Sequence, residues 1–132
     1  AIPDFDFTPN RYTGPSYEKV LSTRDKHLST CAMTVYRNPV MIVQGKMQYL
    51  FDHTGRRYLD LFAGASTSGM GHCHPRVIAK MKEQIDNLNH TTTVYLNDQH
   101  SMFAEELADK LPKGLDCIYF TSSGSEANAL AT

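Results

Sequence analysis

The sequence predicts an α/β chain, in which a small antiparallel meander precedes the start of a mostly parallel-sheet domain. Residues 40–62 hold three short β-type runs separated by tight turns. From Pro75 onward two helical stretches, one apolar strand-like run and a further helix start follow, the alternation from which parallel sheets are built. Composition agrees with a globular chain: 132 residues, 41% hydrophobic and 20% charged. The 13 Lys+Arg against 14 Asp+Glu leave a net charge of -1, without the basic excess of a nucleic-acid binder. No stretch approaches the roughly 20 apolar residues a membrane helix needs.

Each element has a local cause. Residues 1–15 contain Pro3, Pro9 and Pro15 and read as an extended arm. Phe5 and Phe7 alternate with Asp4 and Asp6, so one edge of the arm is expected to pack as a surface tail, or else to lie on a partner. Ser16 is an N-cap, and Tyr17, Val20, Leu21, Arg24 and Leu28 follow helical spacing. Residues 40–43 read as a strand, Gly45-Lys46 as a turn, 47–51 as a second strand, 52–55 as a second turn and 56–62 as a third strand. The glycine-rich stretch 64–71 reads as a loop.

Pro75 suits a first helical position, and Val77, Ile78, Met81, Ile85 and Leu88 form one apolar stripe behind it. A second helix is expected from Asp98, as N-cap, to Leu111, with Met102, Phe103, Leu107 and Leu111 facing a core and Pro112 stopping it. Residues 115–121 read as a buried strand, and the following helix carries Glu126 in its first turn.

A lone strand of parallel type cannot close a sheet. The chain is therefore expected to be the N-terminal part of a larger protein. Residues 1–74 form its arm and small-domain segment, and residues 75–132 the incomplete start of a large domain. Cys31, Cys73 and Cys117 are odd in number and far apart, which argues against a disulfide framework and for an intracellular chain. Cys117 is expected to be a buried, inert thiol. Residues 1–15 do not read as a signal peptide or an Arg/Ser-rich presequence.

The most informative stretch is Phe120-Thr121-Ser122-Ser123-Gly124-Ser125-Glu126-Ala127-Asn128. A strand, a small polar turn and a helix N-terminus in succession aim backbone N–H groups and a helix dipole at one point, which suits phosphate. Gly124 allows close approach, and the hydroxyls of Ser123 and Ser125 add donors. The same pattern also describes an ordinary Ser-capped helix, and the residues alone do not separate the two. No P-loop, complete dinucleotide fingerprint or nucleophile elbow is present. Gly71-His72-Cys73-His74-Pro75 contains metal-ligand types, but neighbouring side chains diverge and no second cluster has zinc spacing. It reads as a helix-start turn near a cleft. Asn89-His90-Thr91-Thr92-Thr93-Val94-Tyr95 reads as a polar connection, with Tyr95 a candidate aromatic wall.

Three segments in order carry a family resemblance. They are Tyr49-Leu50-Phe51-Asp52 with Gly55-Arg56-Arg57-Tyr58-Leu59-Asp60, then Gly71-His72-Cys73-His74-Pro75, then Ser123-Gly124-Ser125-Glu126-Ala127-Asn128. Together they resemble the class III pyridoxal-phosphate-dependent aminotransferases, from about Phe5 onward. Asp6-Phe7-x-Pro9-x-Arg11-Tyr12 and residues 90–95 look most like the mitochondrial alanine–glyoxylate branch of that class.

The resemblance implies a fold-type I enzyme that binds pyridoxal phosphate through Ser123, Gly124 and Ser125. It implies amino-acid and 2-oxo-acid substrates, a homodimer with the site at its interface, residues 64–71 near that site, and a mitochondrial location. The family's cofactor-bound lysine and pyridine-pairing aspartate belong beyond the phosphate turn. None of Lys19, Lys26, Lys46, Lys80, Lys82, Lys110 and Lys113 stands in the matching context. No catalytic residue is therefore expected here, and these 132 residues alone are expected to be inactive. The alternative function is a non-catalytic, aminotransferase-like subunit docked into a larger assembly.

Overall fold

The computed structural model describes residues 5–132. The first four residues of the arm, Asp4 of its alternating pattern included, lie outside the described residues. Elements follow in the order α1 (Tyr17–His27), β1 (Ile42–Lys46), β2 (Tyr49–Asp52), β3 (Arg57–Leu59), α2 (Pro75–Asn87), α3 (Asp98–Ala108) and α4 (Gly124–Ala131). The chain divides into two compact units between Gln84 and Ile85.

In the first unit the three strands form one antiparallel sheet in the order β1-β2-β3. Its core is aromatic. Tyr49 and Phe51 are buried on β2, and the arm lays Phe5 on Tyr49 at 4.8 Å and Phe7 on Phe51 at 5.5 Å between ring centroids. The Asn10 N–H donates to Gln44 Oε1 at 2.9 Å. The alternation of Phe and Asp thus packs the arm on its own sheet. Helix α1 starts at Ser16, whose hydroxyl accepts from the Lys19 N–H. It is tied to the sheet region by Tyr17, which stacks on His53 and donates its hydroxyl to the Pro39 carbonyl at 3.0 Å.

The first hairpin differs from the expectation. Gly45 and Lys46 belong to β1, and the turn falls on Met47 and Gln48, because Lys46 pairs with Tyr49. Gly45 serves close packing instead: a Cβ there would lie 2.8 Å from the His72 Cβ. Strand β3 is also shorter than the expected 56–62 run, since Asp60 accepts from the Phe62 and Ala63 N–H groups and turns the chain out of the ladder. The second turn is as expected, with Gly55 at φ 86° and its N–H donating to the Asp52 carbonyl.

Helix α2 begins at Pro75 and carries the expected stripe, of which Val77, Met81, Ile85 and Leu88 are exposed. In the second unit α3 is capped one residue earlier than expected. Asn97 is the N-cap, its side-chain oxygen accepting from the His100 N–H, and Asp98 is the first helical residue. The helix ends at Ala108, short of the expected Leu111, because turns take over at Asp109, and the expected core-facing Met102, Phe103 and Leu111 are exposed as well.

Residues 115–121 are not a strand, and no sheet neighbour pairs with them among the described residues. Leu115, Tyr119 and Phe120 are exposed, and so is the Cys117 thiol, against the expectation of burial. An apolar run takes up a ladder only beside a strand that accepts its hydrogen bonds. Phe120 packs locally, stacking on Phe103 at 5.4 Å and meeting His100 at 4.7 Å. No helix is long and apolar enough to cross a membrane among the described residues.

Candidate functional site

Two polar sites stand out, one in each unit. The first is the start of α4. Ser123 is the N-cap in extended backbone, and its hydroxyl oxygen accepts from the Glu126 N–H at 3.2 Å. That acceptor role leaves the hydroxyl proton available. Glu126 reaches back to accept from the Ser122 N–H at 2.8 Å, and Thr121 Oγ1 donates to the Ser123 carbonyl at 3.1 Å. The pair Ser123 and Glu126 is a capping box displaced by one residue on the carboxylate side.

These bonds brace the turn from 121 to 126 and leave the first helical N–H groups, those of Gly124 and Ser125, without an internal acceptor. A Cβ built on Gly124 would meet nothing within 4 Å. The sequence-predicted residues Ser123, Gly124 and Ser125 are therefore contiguous, exposed and rich in donors. Two free N–H groups, the hydroxyl protons of Ser123 and Ser125 and a helix dipole can bind an oxyanion. Glu126 adds a like charge at the same helix end, turned toward Ser122. A groove lined by Phe120, Ser122, Glu126 and Leu130 runs beside the turn.

The second site lies in the first unit, around Gly71-His72-Cys73-His74. His72 Nε2 contacts Asp60 Oδ2 at 2.6 Å. The His72 hydrogen bond, followed by that of the Ala63 N–H, holds the Asp60 carboxyl below its ordinary value. The His72 backbone exchanges two hydrogen bonds of 2.7 Å with Met47. His74 lines an open cavity of about 400 Å³, and its Nδ1 is enclosed without a hydrogen-bond partner. Cys73 sits at φ 50° and is exposed. Sequence reasoning singled out this motif but missed Asp60 as the partner of His72; their separation of twelve residues carries no local signal. In the second unit Tyr95 is exposed and its N–H donates to the Thr92 carbonyl, so residues 92–95 make a turn.

A family model described as aminotransferase class III matches residues 31–132. The chain belongs to the class III aminotransferases. It is 52% identical over 130 residues to alanine–glyoxylate aminotransferase 2 homolog 2, mitochondrial, of Arabidopsis thaliana, covering 98% of this chain and 27% of that protein. It is 43% identical over 130 residues to the human mitochondrial alanine–glyoxylate aminotransferase 2, covering 98% and 25%. Among solved structures, an ornithine aminotransferase of Toxoplasma gondii matches with a TM-score of 0.77 and 31% identity, over 86% of this chain and 26% of that one. That structure carries pyridoxal phosphate at partial occupancy in its active site. The fold is that of fold-type I pyridoxal-phosphate-dependent aminotransferases, and the cofactor that membership implies is pyridoxal phosphate. The chain spans about a quarter of the length of the curated relatives it matches.

Proposed function

We propose that the protein carrying this chain moves an amino group between an amino acid and a 2-oxo acid, with Ser123, Gly124 and Ser125 holding the phosphate of pyridoxal phosphate. The observation that carries this reading is the start of α4, where the Gly124 and Ser125 N–H groups lack an internal acceptor beside open space at Gly124. A phosphate there would accept from both N–H groups and from the Ser123 and Ser125 hydroxyls, as bonds to a charged group. The bound cofactor supplies an electron sink, and the residues of this chain supply its anchorage. None of the described lysines is assigned a catalytic role.

The names of the relatives support alanine and glyoxylate as the substrate pair, and a mitochondrial location. On this reading residues 1–74 belong to the small domain and residues 75–132 open the cofactor domain of a homodimer. Cell fractionation and light scattering of the full-length protein test the location and the dimer.

The test of the site is titration of the full-length apo protein with pyridoxal phosphate, followed by absorbance, for the wild type and Gly124→Val. The branched side chain fills the open space at residue 124 and should abolish saturable binding, with circular dichroism as the folding control. A folded Gly124→Val variant of unchanged affinity would place the phosphate elsewhere.

A further inference from the structure

Residues 62–71 contain backbone that local preference does not explain. Ala63, Gly64, Ala65 and Ser66 have φ of 48°, 58°, 55° and 73° in succession. All four φ values lie in the left-handed region, and of these residues only Gly64 lacks a Cβ. L-residues visit that region singly, and a run of them is unfavourable at every step. Such a segment persists only when its surroundings over-determine it, and strain of this kind gathers at functional sites. Inside the loop the Ser68 N–H donates to the Ala63 carbonyl at 3.0 Å, and Thr67 Oγ1 donates to the Gly64 carbonyl at 2.8 Å. Those bonds close the turn but do not attach it to the sheet.

The attachment is made at the two ends, and both ends meet at one carboxylate. Asp60 Oδ1 accepts from the Phe62 N–H at 3.0 Å and the Ala63 N–H at 2.9 Å, where the loop leaves β3. Asp60 Oδ2 meets His72 Nε2 at 2.6 Å, where the loop returns. Each partner is itself fixed to the first hairpin. The Asp60 N–H donates to the Gln48 carbonyl at 2.9 Å, and the His72 N–H and carbonyl bond Met47. Gly71, at φ 98°, lets the returning chain approach Met47, since a Cβ there would lie 3.0 Å from Met47 Cα.

The loop forms the wall of two open cavities, of about 240 and 400 Å³. Residues 68–72 line both of them.

We propose that Asp60 and His72 act as a positioning pair, a staple that holds the left-handed turn at 63–66 and thereby fixes the wall, residues 68–72, that both cavities share. His72 Nε2–H donates to Asp60 Oδ2 in this arrangement, leaving Nδ1 as the ring's other hydrogen-bonding atom. The pair stands in the first unit, and the phosphate turn belongs to the second.

The test is amide hydrogen exchange, read by mass spectrometry on the full-length protein. It compares wild type, His72→Leu, which loses the donor, and His72→Gln, whose side-chain N–H can still reach the carboxylate. The expected result is that His72→Leu speeds exchange in peptides covering 62–71 by about tenfold or more, while peptides covering β1–β3 stay as in wild type. His72→Gln should return the loop to within about threefold of wild type. Equal loop exchange in wild type and His72→Leu would overturn the proposal, because the Asp60 bonds to Phe62 and Ala63 would then suffice. Equal acceleration in the Leu and Gln variants, or acceleration spread across β1–β3, would overturn it too, since the lost quantity would be packing and not the hydrogen bond. Should His72→Leu fail to fold, Asp60→Asn takes its place: it weakens the charge-assisted bond, and loop exchange unchanged from wild type would overturn the proposal.

Discussion

The Tyr58 hydroxyl donates to Asp52 Oδ2 at 2.7 Å, across the turn that joins β2 to β3. Oδ1 of the same carboxylate accepts from the Thr54 N–H at 2.9 Å, the Thr54 hydroxyl at 2.6 Å and the Arg56 N–H at 3.1 Å. Asp52 is buried. Burial pushes its carboxyl up, but the bonds from Thr54, Tyr58 and Arg56 outweigh it and hold the group down at about 2. The same contact raises the Tyr58 hydroxyl.

A carboxyl depressed from 3.8 to about 2 contributes about 2 kcal/mol of stability. The contribution is fully present above the unfolded value and is lost as pH falls from near 4 through about 2. Urea unfolding at a series of pH values should therefore show wild type ahead of Asp52→Asn at pH 6, with the difference shrinking by about 2 kcal/mol on going to pH 2. A difference independent of pH would assign the effect of the substitution to shape rather than charge.

Gly71 and Gly114 share a left-handed backbone, at φ 98° and 94°, but differ in surroundings. A Cβ at Gly114 meets nothing within 4 Å, whereas one at Gly71 lies 3.0 Å from Met47 Cα and 3.3 Å from its carbonyl carbon. Gly114→Ala should cost about 1 kcal/mol from backbone strain alone. Gly71→Ala should cost about 2–3 kcal/mol, because the Met47–His72 bridge must also shift. Chemical denaturation of the two variants side by side measures the difference.

The cap of α3 gives a second pair. Asn97→Ala removes the acceptor of the His100 N–H and should lower stability by about 1 kcal/mol. Asp98→Ala removes a first-turn charge and the exposed acceptor of Gln99 Nε2–H at 3.2 Å, but no backbone cap, and should cost about 0.5 kcal/mol. Thermal melts that rank the two in the opposite order would place the cap at Asp98.

At the start of α4, Ser125→Ala removes one hydroxyl donor and leaves the backbone N–H in place. A bond to a charged group is worth about 1.5–3 kcal/mol, so affinity for pyridoxal phosphate should fall by about one to two orders of magnitude. Gly124→Val should lower it further, since it fills space instead of trimming a contact. Titration of the apo full-length protein, with the unmodified cofactor and its dephosphorylated analogue, separates phosphate contacts from ring contacts. Loss of affinity for the phosphate form alone is the expected pattern.

Local chemistry made several elements legible in the sequence. Ser16 before Tyr17 and Pro75 at a first turn mark α1 and α2, because caps and first-turn residues act within one turn of chain. The turn 52–55 is written in Asp52 and Gly55 in the same way. The order of the three motifs points to the class III aminotransferases, and the helix expected after the polar turn is present, beginning at Gly124 with Ser123 as its N-cap.

Tertiary structure decided the rest, where partners lie far apart along the chain. Gly45 reads as a turn residue until His72 is found against it. Asp60 and His72 are separated by a loop whose left-handed turn follows from no propensity scale. Residues 115–121 have a strand's composition, but a strand is a relation between two chain segments, and no neighbour pairs with them among the described residues. Periodicity and capping record what a residue does to its own turn of backbone. Pairing, close approach and strain record what distant segments do to each other, and only the folded chain brings those segments together.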